Sequence, residues 1–249
     1  MSEILLEARN LQISFGGVVA ADDVSLAIER GKNLAIIGPN GAGKTTFLNI
    51  CTGWIKPTKG KVYFEGQDVT PLPPRRIVRL GVARAFQIPQ LFTEHTALEN
   101  LLISAAAREQ LRHPLQDLHR IRERAEMLHL LDMVGCADVA DRLVVELSEG
   151  QRKLVDIAVA LALRPKLLLM DEPTSGVASS EKFKIMEILV KALSEAKVTS
   201  VFVEHDMGIV SRYADEVAVW AAGRLQMQGS PEEILRHPDV IRDVIGEAV

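Results

Sequence analysis

Apolar positions recur along the chain at two spacings, and the switches between them mark the elements. Residues 4–30 alternate apolar and polar as strands do, around a Phe15-Gly16-Gly17 turn. Residues 33–37 are a short apolar run between Gly31 and Gly38, which predicts a buried strand; a helical pattern then runs from Gly43 to about Thr52 and stops at Gly53. Two further strands are predicted at 61–65, entered through the turn Pro57-Thr58-Lys59-Gly60, and at 82–86, with Gln87 at the exit. Residues 88–147 carry long helical patterns and no strand, with a Thr96/Glu99 capping box opening one helix and Gly135 closing another. Leu154, Ile157, Ala158 and Leu161 fall at i, i+3, i+4 and i+7, so a helix is expected from about Glu149 to just before Pro165. Ser148 is its N-cap and Gln151 completes a capping box. Strands return at 166–170, 199–203 and 216–220; a Gly223-Arg224 turn follows, and Ser230-Pro231-Glu232-Glu233 opens the last helix.

Strands alternating with helices predict an α/β fold with a mainly parallel sheet. The change at residue 88 suggests one domain, 1–249, in two parts: a core of 1–87 and 159–249, and an inserted helical sub-domain of 88–158. The hydrophobic share of 47% suffices for a large core, and a net charge of −4 argues against general nucleic-acid binding. Cys51 and Cys136 have no metal-ligand or disulfide pattern and read as core residues. The opening Met-Ser-Glu-Ile-Leu-Leu-Glu lacks the features of a signal peptide, and no uncharged apolar run approaches the ~18 residues of a membrane span. Any membrane role is therefore expected to be peripheral.

Gly38-Pro39-Asn40-Gly41-Ala42-Gly43-Lys44-Thr45 has the P-loop spacing, and Thr46 follows it into a helix. Glycines let backbone N–H groups wrap a phosphate, the helix adds its positive end, Lys44 reaches the outer phosphates and the Thr45 hydroxyl can ligate Mg²⁺. Residues 167–170 are an apolar strand ending in Asp171-Glu172. Buried carboxylates need a reason: beside a P-loop, Asp171 is placed to hold Mg²⁺ and Glu172 to activate water. Three single residues have two readings each. Gln87 is a contact to Mg²⁺ or water, or a solvated amide; His205 is a γ-phosphate contact or a structural histidine; Phe15 stacks on a purine or is an ordinary core aromatic.

The glycine loop, Gln87, Leu-Ser-x-Gly-Gln at 147–151, Asp171-Glu172-Pro173-Thr174-Ser175-Gly176 and His205 occur in the order of an ABC-transporter ATP-binding subunit, which the chain resembles over nearly its whole length. The resemblance implies a RecA-like P-loop NTPase core, an N-terminal antiparallel β sub-domain and an inserted helical sub-domain. It also implies ATP and Mg²⁺ as cofactors, with Thr45, Gln87 and Asp171 toward the metal. Glu172 would be the catalytic glutamate, His205 the switch histidine, Phe15 the adenine-stacking aromatic. Ser148, Gly150 and Gln151 would contact the ATP held by a second ATP-binding subunit, a copy or a relative. The stretches 15–18, 81–87, 91–100 and 229–234 look like ATPases of branched-chain amino acid importers, a likeness shared by urea and amide importers. The implied partners are two permease subunits and, through them, a solute-binding protein, with the chain on the cytoplasmic face of the membrane and no nucleic acid.

Two positions depart from the family pattern. Glu149 stands where the signature segment usually has glycine or another residue, and its charge suits the first turn of a helix. Gly176-Val177-Ala178 replaces a stretch that usually ends in aspartate, which bears on coupling between the two sites. Rival readings are a non-transport ABC ATPase, and a nucleotide-binding regulatory subunit with little turnover. A GTPase or small-molecule kinase lacks Asn-Lys-x-Asp and leaves 147–151 unexplained.

Overall fold

The computed structural model describes residues 3–108 and 121–245. In chain order the elements are β1 (Ile4–Phe15), β2 (Val18–Glu29), β3 (Asn33–Ile37), α1 (Lys44–Cys51), β4 (Lys59–Phe64), β5 (Gln67–Asp68), α2 (Pro74–Leu80), β6 (Val82–Ala85), α3 (Ala97–Arg108) and α4 (Ile121–Met133). They continue with α5 (Glu149–Ala162), β7 (Leu167–Asp171), α6 (Ser179–Glu195), β8 (Thr199–Val203), α7 (Met207–Tyr213), β9 (Glu216–Ala221), β10 (Arg224–Gly229) and α8 (Pro231–Leu235).

Two sheets result. β2-β1-β4-β5 is antiparallel, and β10-β9-β3-β8-β7-β6 is parallel except for its β9–β10 edge. Alternate residues of the second sheet point into different cores. Leu34, Ile36, Leu167, Leu169, Val201 and Val203 pack with α1 and the antiparallel sheet. Ala35, Ile37, Ala83, Leu168, Met170 and Phe202 pack with α3, α4, α5 and α6. Buried on both faces, β3, β7 and β8 are the near-continuous apolar runs expected of a parallel sheet. The same apolar cluster holds residues of α3, α4, α5 and the sheet, and α5 runs unbroken through residue 158.

The three capping boxes form: Thr96 with Glu99, Ser148 with Gln151, and Ser230 with Glu233, with Pro231 in the first turn. Gly135, at φ 67°, ends α4. Both cysteines are free and buried, and burial pushes the Cys136 thiol up to about 12. The helical pattern between 109 and 120 falls outside the described residues.

Besides short helical turns at Ala137–Val139, Val144–Glu146, Pro238–Val240 and Ile241–Ile245, the elements additional to the sequence reading are β5, α2, α6, α7 and β10. α6 starts without a side-chain cap because Ala178 occupies its N-cap, so its start carries no polar signal. β10 is an edge strand whose Leu225 and Met227 are only half-buried. β4 begins two residues earlier than expected, because Lys59 pairs with Gln12, and Gly60 lies at the irregularity between that pair and the pairing of Lys61 with Arg9. A Cβ on Gly60 would lie 2.3 Å from the Asn10 carbonyl oxygen. β6 stops at Ala85, one residue short, as Phe86 turns out to face Arg84 at 4.7 Å and to meet Trp54 edge-on at 6.1 Å.

Candidate functional site

The Gly38–Thr45 loop leaves the C-terminal end of β3 and runs into α1. Gly38 and Gly43 have φ of 149° and 102°. A Cβ on either would sit 2.1 Å from a carbonyl oxygen, of Trp220 and Ala20 respectively, so only glycine closes the loop against β9 and β2. Lys44 is buried, and its Nζ donates to the carbonyl oxygens of Gly38 at 2.6 Å and Pro39 at 2.8 Å. Burial lowers its pKa, against the pull of Glu172 and Asp171. A cavity of about 170 Å³ is lined by Ala20, Glu172 and the loop, including Asn40, Ala42 and Thr46.

Thr45, at the second position of α1, donates through its hydroxyl to Asp171 Oδ1 at 3.4 Å. The other carboxylate oxygen of Asp171 takes Arg84 Nη2 at 2.9 Å, both side chains almost fully buried. Arg84 also donates to Asn49 of α1, and its Nε is buried with no hydrogen-bond partner among the described residues. Desolvation pulls the guanidinium pKa down against the attraction of Asp171.

Glu172 follows at the end of β7, with a backbone φ of 50° that non-glycine residues adopt rarely. The chain accepts this strain because Glu172 N–H donates to the Val203 carbonyl at 3.1 Å, and the turn aims the carboxylate at two partners. Gln87 Nε2 donates to Oε2 at 2.7 Å, and His205 Nε2 lies 3.1 Å from Oε1. Glu172 lines both the loop cavity and a neighbouring one of about 590 Å³ that also includes Thr174, Gly176, Glu204 and His205. A cavity shared in this way places one carboxylate beside the phosphate-type loop and open to water.

Ser148, Gly150 and Gln151 open α5 and line neither cavity. The Ser148 Oγ accepts the Gln151 N–H at 3.3 Å, which leaves its own O–H free to donate. Glu149 does not point away from the molecule. Its Oε1 lies 2.1 Å from where a Cβ of Gly176 would stand, so its carboxylate rests on the segment after β7. The two departures from the family pattern, at Glu149 and at 176–178, are thus in contact. Phe15 is half-exposed at the β1–β2 turn.

Sequence reasoning missed several residues that shape the site. Arg84 was signalled by a cation inside an apolar strand. Glu204 was signalled by a carboxylate ending another. Buried Glu204 accepts the Thr174 hydroxyl at 2.6 Å and the His205 N–H at 3.1 Å, tying the β7 and β8 exits together.

The model for the ABC transporter family matches residues 21–175. The BraF branched-chain amino acid transport ATP-binding protein of Pseudomonas aeruginosa is 38% identical over 256 residues, covering 100% of both chains. The LivG protein of Salmonella typhimurium, described in the same terms, is 36% identical, again over 100% of each. Among solved structures, an ATP-binding cassette of an ABC transporter in its ADP conformation superposes with a TM-score of 0.83 at 33% identity, covering 96% of this chain and 98% of that one. A dimeric bacterial ABC transporter cassette gives 0.78 at 28% identity, covering 91% and 99%. The carboxylate-bearing strand ends beside a glycine loop, the capped signature helix and these full-length likenesses agree: the chain belongs to the ABC transporter family, as an ATP-binding subunit.

Proposed function

We propose that this ATPase works as the ATP-binding subunit of a branched-chain amino acid importer, docked peripherally on the cytoplasmic face of the membrane. The observation that carries the chemistry is the Glu172 carboxylate, held by Gln87 and His205 at the wall of the glycine-loop cavity. The full-length likeness to BraF and LivG supports the solute class. No described helix is long and apolar enough to cross a membrane, so the membrane passage falls to permease subunits.

In this reading the Gly38–Thr45 backbone and Lys44 cradle the ATP phosphates, and Phe15 meets the adenine. The Thr45 hydroxyl and the Asp171 carboxylate converge to 3.4 Å, a hard-oxygen donor set that fits Mg²⁺, to which the family likeness would add the Gln87 side-chain oxygen. Mg²⁺, when bound, offsets charge on the phosphate oxygens. Glu172 orients a water and takes its proton as the water oxygen bonds to the γ-phosphorus and the bond to the β-phosphate oxygen breaks. His205 holds the Glu172 carboxylate and reaches toward the γ-phosphate. Ser148, Gly150 and Gln151 complete the site of a second ATP-binding subunit. Residues 88–158 then move as a helical sub-domain against a core of 1–87 and 159–249, passing the closure to two permease subunits that receive solute from a binding protein.

Vesicles containing the chain, its permease subunits and the solute-binding protein test this reading. Leucine, isoleucine or valine outside is expected to stimulate ATP hydrolysis and to accumulate inside. Stimulation by urea or short amides alone would overturn the solute assignment.

A further inference from the structure

Lys153 of α5 is 4% exposed. Among the described residues it makes no ion pair. Its Nζ instead donates to two main-chain carbonyls, of Gln87 at 3.2 Å and of Glu172 at 3.0 Å. One turn on, Asp156, also buried, accepts the backbone N–H of Gln90 at 3.2 Å. Burial lowers the lysine pKa and raises the aspartate to about 6, so both charges are held at a cost. A helix that needed only to pack here would carry apolar residues at both positions. The three segments leave a gap of only about 10 Å³ between them, bordered by Phe86, Lys153, Asp156 and Asp171. That is near the lower limit for a single water.

From these contacts we infer that Lys153 and Asp156 form a clasp joining the signature helix to the Gln87 bend and the Glu172 backbone, making them positioning residues for hydrolysis. The clasp spans 87–90, which carries the Gln87 amide that holds the Glu172 carboxylate. On the other side Nζ grips the carbonyl of Glu172 itself, whose left-handed φ needs such support. Glu149, resting on Gly176 at the helix start, adds a third point of attachment. A shift at the start of α5, which in that reading meets the second subunit's ATP, therefore pulls on the Gln87 and Glu172 backbones of its own subunit. Arrival of the opposite nucleotide is felt at the cleaving carboxylate through three side chains of one helix. This inference rests on the assignment of Glu172 as the base.

The test compares Lys153→Met and Lys153→Arg with the parent chain as the MgATP-driven dimer. Lys153→Met is expected to lower kcat by about tenfold or more. KM and the Kd for a non-hydrolysable ATP analogue should stay within about threefold, and Lys153→Arg should recover most of the rate. Amide hydrogen exchange over 87–90 should quicken in Asp156→Asn, a readout that remains if Lys153→Met folds poorly. Retention of kcat, an equal loss of analogue binding, or unchanged exchange at 87–90 would each overturn the clasp. A Glu172→Gln variant with full turnover would remove the base assignment alone, because the exchange measurement does not depend on it.

Discussion

Replacing Glu172 by glutamine is expected to reduce kcat for ATP hydrolysis by about 10²–10⁴-fold. ATP binding should be left intact. Glutamine keeps the volume and retains an oxygen to accept from the Gln87 amide, so the pocket should hold its shape. What is lost, on the proposed assignment, is the group that accepts the proton of the attacking water. The proposed ATP cradle, the Gly38–Thr45 backbone with Lys44, lines the same cavity and is not altered by the substitution. Phosphate release at saturating MgATP, set beside analogue binding by calorimetry, separates the two properties. A fall of less than about tenfold would mean that another group takes the proton.

The second large effect is on stability. Arg84→Met should cost about 3–5 kcal/mol, because it leaves the buried Asp171 carboxylate without its ion-pair partner. Against a total stability of about 5–15 kcal/mol, such a loss leaves a protein that is folded but close to its limit. Arg84→Lys should recover only part, since one ammonium replaces a planar fork that serves Asp171 and Asn49 together. Urea unfolding at constant pH measures both variants. A cost below about 1 kcal/mol for Arg84→Met would show that Asp171 is held by Thr45 and solvent instead.

The parts legible in the sequence are those where one local rule acts alone. β3 and β8 are apolar runs bounded by turn residues, and Ser148 with Gln151 is a cap that depends on four consecutive residues. The glycine loop was legible because its chemistry fixes its spacing. What escaped depends on long-range packing. α6 has no cap at Ala178 to announce it, and β10 is a strand only because β9 is beside it. Arg84 and Glu204 interrupt or end apolar strands, and Lys153 lies on a helix, but in no case does a local window show the partner. They become meaningful when α1, α5 and the β7 exit close around them. Glu149 is similar: a favourable first-turn charge by its local rule, it proves to lie on Gly176, beyond the end of its own helix and the whole of β7.

The central claim is that each hydrolysis site joins Glu172 of one chain to Ser148–Gln151 of another. Mixing two inactive variants, Glu172→Gln and Ser148→Arg, tests it most directly. In a mixed pair, one site keeps an intact Glu172 from the second variant and an intact signature segment from the first. Hydrolysis should therefore reappear in a single turnover of the mixture, although neither variant turns over alone. A mixture as inactive as its components would contradict the account, since each chain would then be using its own signature segment.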